Sequence, residues 1–330
     1  MRSNSGNHHE DVRTSASDNP DLFAGDGETL ALLRATDWMQ TTLGPLSHWP
    51  DELIEAVRVT IPSKMPMLIW WGPDLIQLYN DACAELIGGK HPEGIAQPAK
   101  QCWAEVWDEL APFVNRVIEA GESTFTENML LLLERHGYLE ETYWTFSCSP
   151  IRDAGGKVAG VLVVPSDVTA RVVGDRRLET IRQLGTVSAA NSGTVEETCR
   201  AAVDVLSANR QAVPFGAIYL VDPDDAQARL VASFGIGEGT AVTPADPFVL
   251  DDNPPVATAV ASGARGLVTG LRESIPREAF ERGPLGDEVP DAAMVLPLSV
   301  SGVSRPTAVA VLGVNAYRAV DAVYLTFFQL

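Results

Sequence analysis

The sequence predicts an α+β protein of two domains, each an antiparallel sheet flanked by helices, with a helix joining the two. Three observations carry this. The chain has 330 residues and is 45% hydrophobic, enough to close two cores of ordinary size. Short apolar runs bounded by Gly, Pro and Asp gather into clusters of strands, instead of alternating one by one with helices. Between the clusters, residues 170–190 are polar with an apolar residue every third position, the pattern of a single helix.

Taken in order, residues 1–28 are rich in Ser, Asn, Asp, Gly and His and hold almost no bulky apolar side chain, so a disordered tail is expected. A helix over Glu28–Ala35 follows. A second begins at Pro50, where proline suits a first turn, with Leu53, Ile54, Val57 and Ile61 at helical spacing. Strands over 67–71 and 75–79 flank the turn Gly72-Pro73-Asp74. Asn80 or Asp81 caps a helix over 82–87, because a short side-chain oxygen satisfies the first free amides; Gly88-Gly89 ends it. Residues 102–120 read as one amphipathic helix, with Trp103, Val106, Trp107, Leu110, Val114 and Val117 on one face. Strands over 124–134, 141–150 and 158–164 complete a five-stranded sheet with helices on one side.

Asp167-Val168-Thr169 opens a helix running to about residue 190, in which Leu178, Ile181, Leu184 and Val187 recur among arginines. It fits a linker helix that pairs with its copy in a homodimer, and equally an ordinary first helix of the next domain. Arg171, Arg176, Arg177 and Arg182 read as its polar face. Thr194 caps a helix over 195–209, and strands follow at 215–221, 228–235, 266–269, 293–299 and 307–314. A last helix begins near Asp321. The sequence closes on an apolar helical run with no capping residue, so it reads as a fragment cut inside that helix, with an output domain beyond it.

Composition excludes several partners. Lys and Arg total 24 against 44 Asp and Glu, a formal charge of -20, which argues against nucleic acid and anionic membrane. Cys83, Cys102, Cys148 and Cys199 lie far apart without metal-ligand spacing, as in a reducing cytoplasm. No charged leader with an apolar core opens the chain, and no apolar run is long enough to cross a bilayer. A soluble cytoplasmic protein is therefore expected. The glycine groups at 235–239, 88–90 and 155–157 lack the spacing of dinucleotide or P-loop motifs. No nucleophile–base–acid arrangement appears, so no catalysis is expected of these residues.

Two stretches carry a resemblance. "WGPDLIQLYNDACAELIG" and "YWTFSCSPIRDAGGKVAGVLVVPSDVT" resemble a PAS domain over about 37–169, the second with its Ser-Pro-Ile-Arg-Asp turn, Gly-Lys-Val-Ala-Gly strand and terminal Asp-Val-Thr. The leader "DWMQTTLGPLSHWP" resembles that of a bacterial subgroup found before histidine kinase or phosphatase modules. "PFGAIYLVDPDDAQARLVASFGIGEG" and "DAAMVLPLSVSGVSRPTAVAVLGVNAYRAVDAVYLTFF" resemble a GAF domain. The resemblance implies domains at 29–169 and 191–330 with a signalling helix over 170–190. It implies a sensory input region that binds a small-molecule ligand and drives a C-terminal output domain. A histidine kinase in a phosphorelay comes first; a sporulation-type serine phosphatase, or a ligand-free dimerisation scaffold, are the alternatives.

The candidate ligand-binding residues are aromatic and small polar ones of the first domain: Tyr79, Asn80, Trp103, Trp107, Phe125, Thr145 and Ser147. Tyr143, Thr145 and Ser147 alternate with Trp144, Phe146 and Cys148, so the two sets take opposite sheet faces. Large apolar side chains on both faces call for a dimer or for cover by the helix after Pro50. Asp167 and Thr169 are the candidates for signal transmission. His91 is the one histidine placed to serve a haem, but a His-Pro turn explains it, so haem is not expected. The flavin motif and the bilin-linking cysteine that the resemblance would require are absent, which leaves the cofactor unknown.

Overall fold

In the structure, a computed structural model that describes residues 22–190, 193–222, 226–244, 247–299 and 305–328, the chain divides between Val168 and Thr169 into two units. The expected tail falls largely outside the described residues. Its last part does not fit the expectation, because Phe23 is buried against Trp38 and Trp49.

The first unit holds helices α1 (Glu28–Ala35), α2 (Asp51–Thr60), α3 (Asp81–Ile87), α4 (Ala99–Cys102) and α5 (Trp107–Ala120). Its strands are β1 (Leu68–Trp71), β2 (Ile76–Tyr79), β3 (Thr124–Glu134), β4 (Leu139–Arg152) and β5 (Val158–Asp167). They form one antiparallel sheet in the order β2-β1-β5-β4-β3. Strand alternation sorts the core into two layers. Leu68, Trp70 and Tyr79 join the inner layer under α3, α4 and α5. Ile69, Trp71, Ile76 and Leu78 join the outer layer, where Leu53, Ile54 and Val57 of α2 cover them. Helices thus lie on both faces of this sheet, not on one. The helix after Pro50 supplies the cover over β1 and β2.

The single helix read over 102–120 is broken. Helix α4 stops at Cys102, Trp103 leaves helical geometry at φ -111° and ψ 30°, and a 3₁₀ turn (Ala104–Val106) precedes α5. The break serves the Trp103 side chain, whose indole N–H reaches Oε1 of Gln77 at 2.7 Å. Lys90 Nζ donates to the Cys102 carbonyl at 2.8 Å, taking up an acceptor that the break leaves behind.

The second unit begins with α6 (Thr169–Ala190) and α7 (Val195–Ser207), the latter started by a Thr194–Glu197 capping box. Strands β6 (Gly216–Asp222), β7 (Gln227–Phe234), β8 (Phe248–Val249), β9 (Gly266–Thr269), β10 (Ala292–Leu298) and β11 (Ala308–Gly313) form a six-stranded antiparallel sheet, β8-β7-β6-β11-β10-β9. Helices α8 (Pro254–Ser262) and α9 (Leu271–Ser274) lie toward one face; α6, α7 and α10 (Ala322–Phe327) pack on the other. Neither β8 nor α8 is marked in the sequence pattern. Pro254 opens α8 at a position where a missing amide costs nothing, behind the Asn253 cap. Arg177 departs from the expected polar face: it is buried, its guanidinium 4.3 Å from the Tyr324 ring centre and 5.5 Å from that of Phe327.

Candidate functional site

The inner layer of the first unit does not close completely. A cavity of about 50 Å³ lies between the sheet and α3 to α5, with Leu68, Trp70, Trp103, Leu133, Trp144 and Cys148 among the residues lining it. Gln77, which no sequence pattern singles out, organises its wall. Its Oε1 accepts from Trp70 Nε1 at 2.9 Å and from Trp103 Nε1 at 2.7 Å; its Nε2 donates to the Gly94 carbonyl at 3.1 Å. Trp144 Nε1 donates to Thr142 Oγ1 at 2.8 Å. All three indole N–H groups on the cavity are therefore committed to protein acceptors. Burial pushes the Cys148 thiol up to about 11, so it stays neutral at physiological pH.

Behind the lining, against the Trp144 ring, stands a charged group. The Arg135 guanidinium lies 5.7 Å from the centre of the Trp144 ring and donates to the carbonyl of Leu86, another lining residue, at 3.1 Å. It also pairs with Glu140 at 2.8 Å and with Asp167 at 2.9 Å. Glu140 in turn meets His136 Nδ1. Asp167 ends β5, and Thr169 opens α6 two residues later.

The candidate residues separate on this frame. Trp103 lines the cavity. Trp107 sits behind it, its ring 6.1 Å from Trp70. Tyr79 is fully buried with its hydroxyl 3.0 Å from His91 Nδ1, and burial raises its phenol well above the ordinary range. Asn80 does not line the cavity. Its Oδ1 accepts from the amides of Cys83 and Met67, and its Nδ2 donates to carbonyls of Thr60, Ser63 and Met65, so it caps α3 and latches the loop before β1. Phe125 is 62% exposed. Thr145 and Ser147 lie on the outer face, opposite Phe146 and Cys148, and Thr145 Oγ1 accepts from the Asn128 amide. Hydroxyls on a strand reach only one face, and these two take the face away from the cavity. His91 does not line the cavity, so the arrangement does not fit a haem held there by an axial imidazole.

No group of His, Cys, Asp and Glu among the described residues could hold a metal ion, and none of their helices is long and apolar enough to cross a membrane.

The family model for the PAS fold matches residues 66–173, the sheet and helices that enclose this cavity. No curated protein matches the chain. Among solved structures, the GAF domain of an Acinetobacter phosphoenolpyruvate-protein phosphotransferase is similar at 16% identity and TM-score 0.32, covering 46% of this chain and 85% of that one. A sensory box sensor histidine kinase from Vibrio cholerae is similar at 16% identity and TM-score 0.24, covering 36% of this chain and 87% of that one. The PAS domain of a Colwellia psychrerythraea protein is similar at 16% identity and TM-score 0.27, covering 36% and 97%. Residues 66–173 are thus similar to the PAS fold, on a match that covers less than half of the chain. The unit that follows is a second antiparallel sheet between helices, the arrangement the GAF resemblance implies.

Proposed function

We propose that the first unit is a sensory module. A small ligand entering the cavity displaces the Trp144 wall, and Arg135 passes that displacement through Asp167 to the start of α6. What supports the reading is one group of contacts: a guanidinium that touches the cavity-lining ring, the Leu86 carbonyl and the Asp167 carboxylate at once. A ligand shifts such an equilibrium only by binding the two arrangements unequally. On this reading the chain binds and relays without catalysing, acts as a cytoplasmic homodimer, and biases an output domain. The overall resemblance puts a histidine kinase in a phosphorelay first as that output, with a sporulation-type serine phosphatase second.

Hydrogen exchange of the full chain tests the relay, with benzene as the probe. In the wild type, saturating benzene should change exchange in the first turns of α6 severalfold. Asp167→Asn should abolish that change with a modest loss of melting temperature, since the largely buried Arg135 guanidinium keeps Glu140 as a charged partner. An undiminished response in Asp167→Asn would remove the relay.

A further inference from the structure

We infer that the cavity is a receptor site for a compact, uncharged, hydrocarbon-like molecule, an inference that rests on reading the cavity as a ligand site. The polar groups of the lining decide this. Indoles normally make a pocket amphipathic, because each brings a donor. Here Gln77 draws two of the three donors away to a single amide oxygen, and Thr142 takes the third. The remaining side-chain heteroatom is the Cys148 sulfur, held neutral by its surroundings. A hydroxyl, amine or carboxylate inside would lose its water and find no partner, which disfavours it strongly. Water itself meets the same obstacle. The space exceeds what one water needs, but nothing on the wall offers the two or more hydrogen bonds that hold one in place.

Size adds a second constraint. The cavity, about 50 Å³, is smaller than the roughly 150 Å³ space known to admit benzene. A ring-sized ligand must therefore push a wall outward. The strand backbones are fixed by their ladders, whereas the Trp144 side chain can turn on its Thr142 anchor and Trp103 sits at the break between α4 and the 3₁₀ turn. These two indoles are the parts of the wall that yield, so larger apolar ligands couple binding to movement.

The test is a series on the full chain. Xenon followed by NMR should perturb methyl signals of Leu131 and Val163. Benzene should bind and quench tryptophan emission; phenol should bind at least tenfold more weakly, and benzoate should not bind. Cys148→Met, which extends a side chain into the space, should weaken benzene by tenfold or more. Phenol or benzoate binding as tightly as benzene would overturn the inference, as would xenon and benzene leaving the protein unperturbed. Should Cys148→Met misfold, the wild-type series still decides. Benzene binding without any change in α6 exchange would leave this inference standing and sink the relay. A polar compound that alone binds and alters α6 would do the reverse.

Discussion

Tryptophans line both faces of the first sheet, yet the two sets are held differently. On the outer face, Trp38 Nε1 donates to the Leu33 carbonyl at 3.0 Å and Trp49 Nε1 to the Gly44 carbonyl at 3.1 Å, each five residues back along the chain. Their rings meet edge to face with centres 4.8 Å apart, and Phe23 completes the cluster. On the inner face, Trp70 and Trp103 hang on the side chain of Gln77, and Trp144 on that of Thr142. An indole tied to a backbone carbonyl of its own segment moves only when that segment moves. One tied to a side-chain amide can swing with a rotamer and keep its hydrogen bond. The outer cluster is thus a fastener, and the inner one a wall that can adjust around a void.

The largest expected effect breaks the fastener. Trp49 is only 2% exposed, and Trp49→Ala should cost about 3–5 kcal/mol in urea unfolding. A loss below about 1 kcal/mol would mean that the leader contributes no cover to β1 and β2. The next effect touches the inner wall. Gln77→Leu keeps the volume but leaves two buried indole donors without an acceptor, at roughly 2–4 kcal/mol together. Near-ultraviolet circular dichroism should change with it, because both rings lose their anchor. An unaltered spectrum and unaltered stability would erase the contrast between the faces.

Much of this fold is legible in the sequence. The five strands of the first sheet, the Asn80 cap and the existence of helix α6 follow from turn residues and periodicity, because those signals are local. The cavity is not. Trp103 belongs to it and is legible as an aromatic of the first domain, but Thr145 and Ser147 are marked only by polarity, and strand alternation alone leaves the choice of face open. Asn80 was drawn to the ligand by its chemistry, whereas its five backbone partners use that chemistry up. Gln77 gave no signal at all. A lone glutamine in an apolar strand acquires meaning only when chain segments 7 and 26 residues away fold back onto it. The Arg135–Asp167 pair is hidden for the same reason, its partners being 32 residues apart.

The smallest effect probes whether the inner wall is as apolar as its contacts imply. The Cys148 thiol titrates near 9.0 when exposed and about 11 in the folded chain, with desolvation the larger cause. Between those values the unfolded chain releases a proton that the folded chain retains. The stabilisation is therefore complete below pH 9, falls as pH rises from 9 to 11, and is lost above that. Cys148→Val removes the titration and keeps the site apolar; the other raised thiols, Cys83 among them, stay in both proteins and cancel. Urea midpoints at pH 8 and pH 10 should show the wild type losing on the order of 1 kcal/mol more than the variant. Equal losses would mean that the thiolate finds solvation on the inner face, and a wall that can solvate an anion would not reject phenol or benzoate.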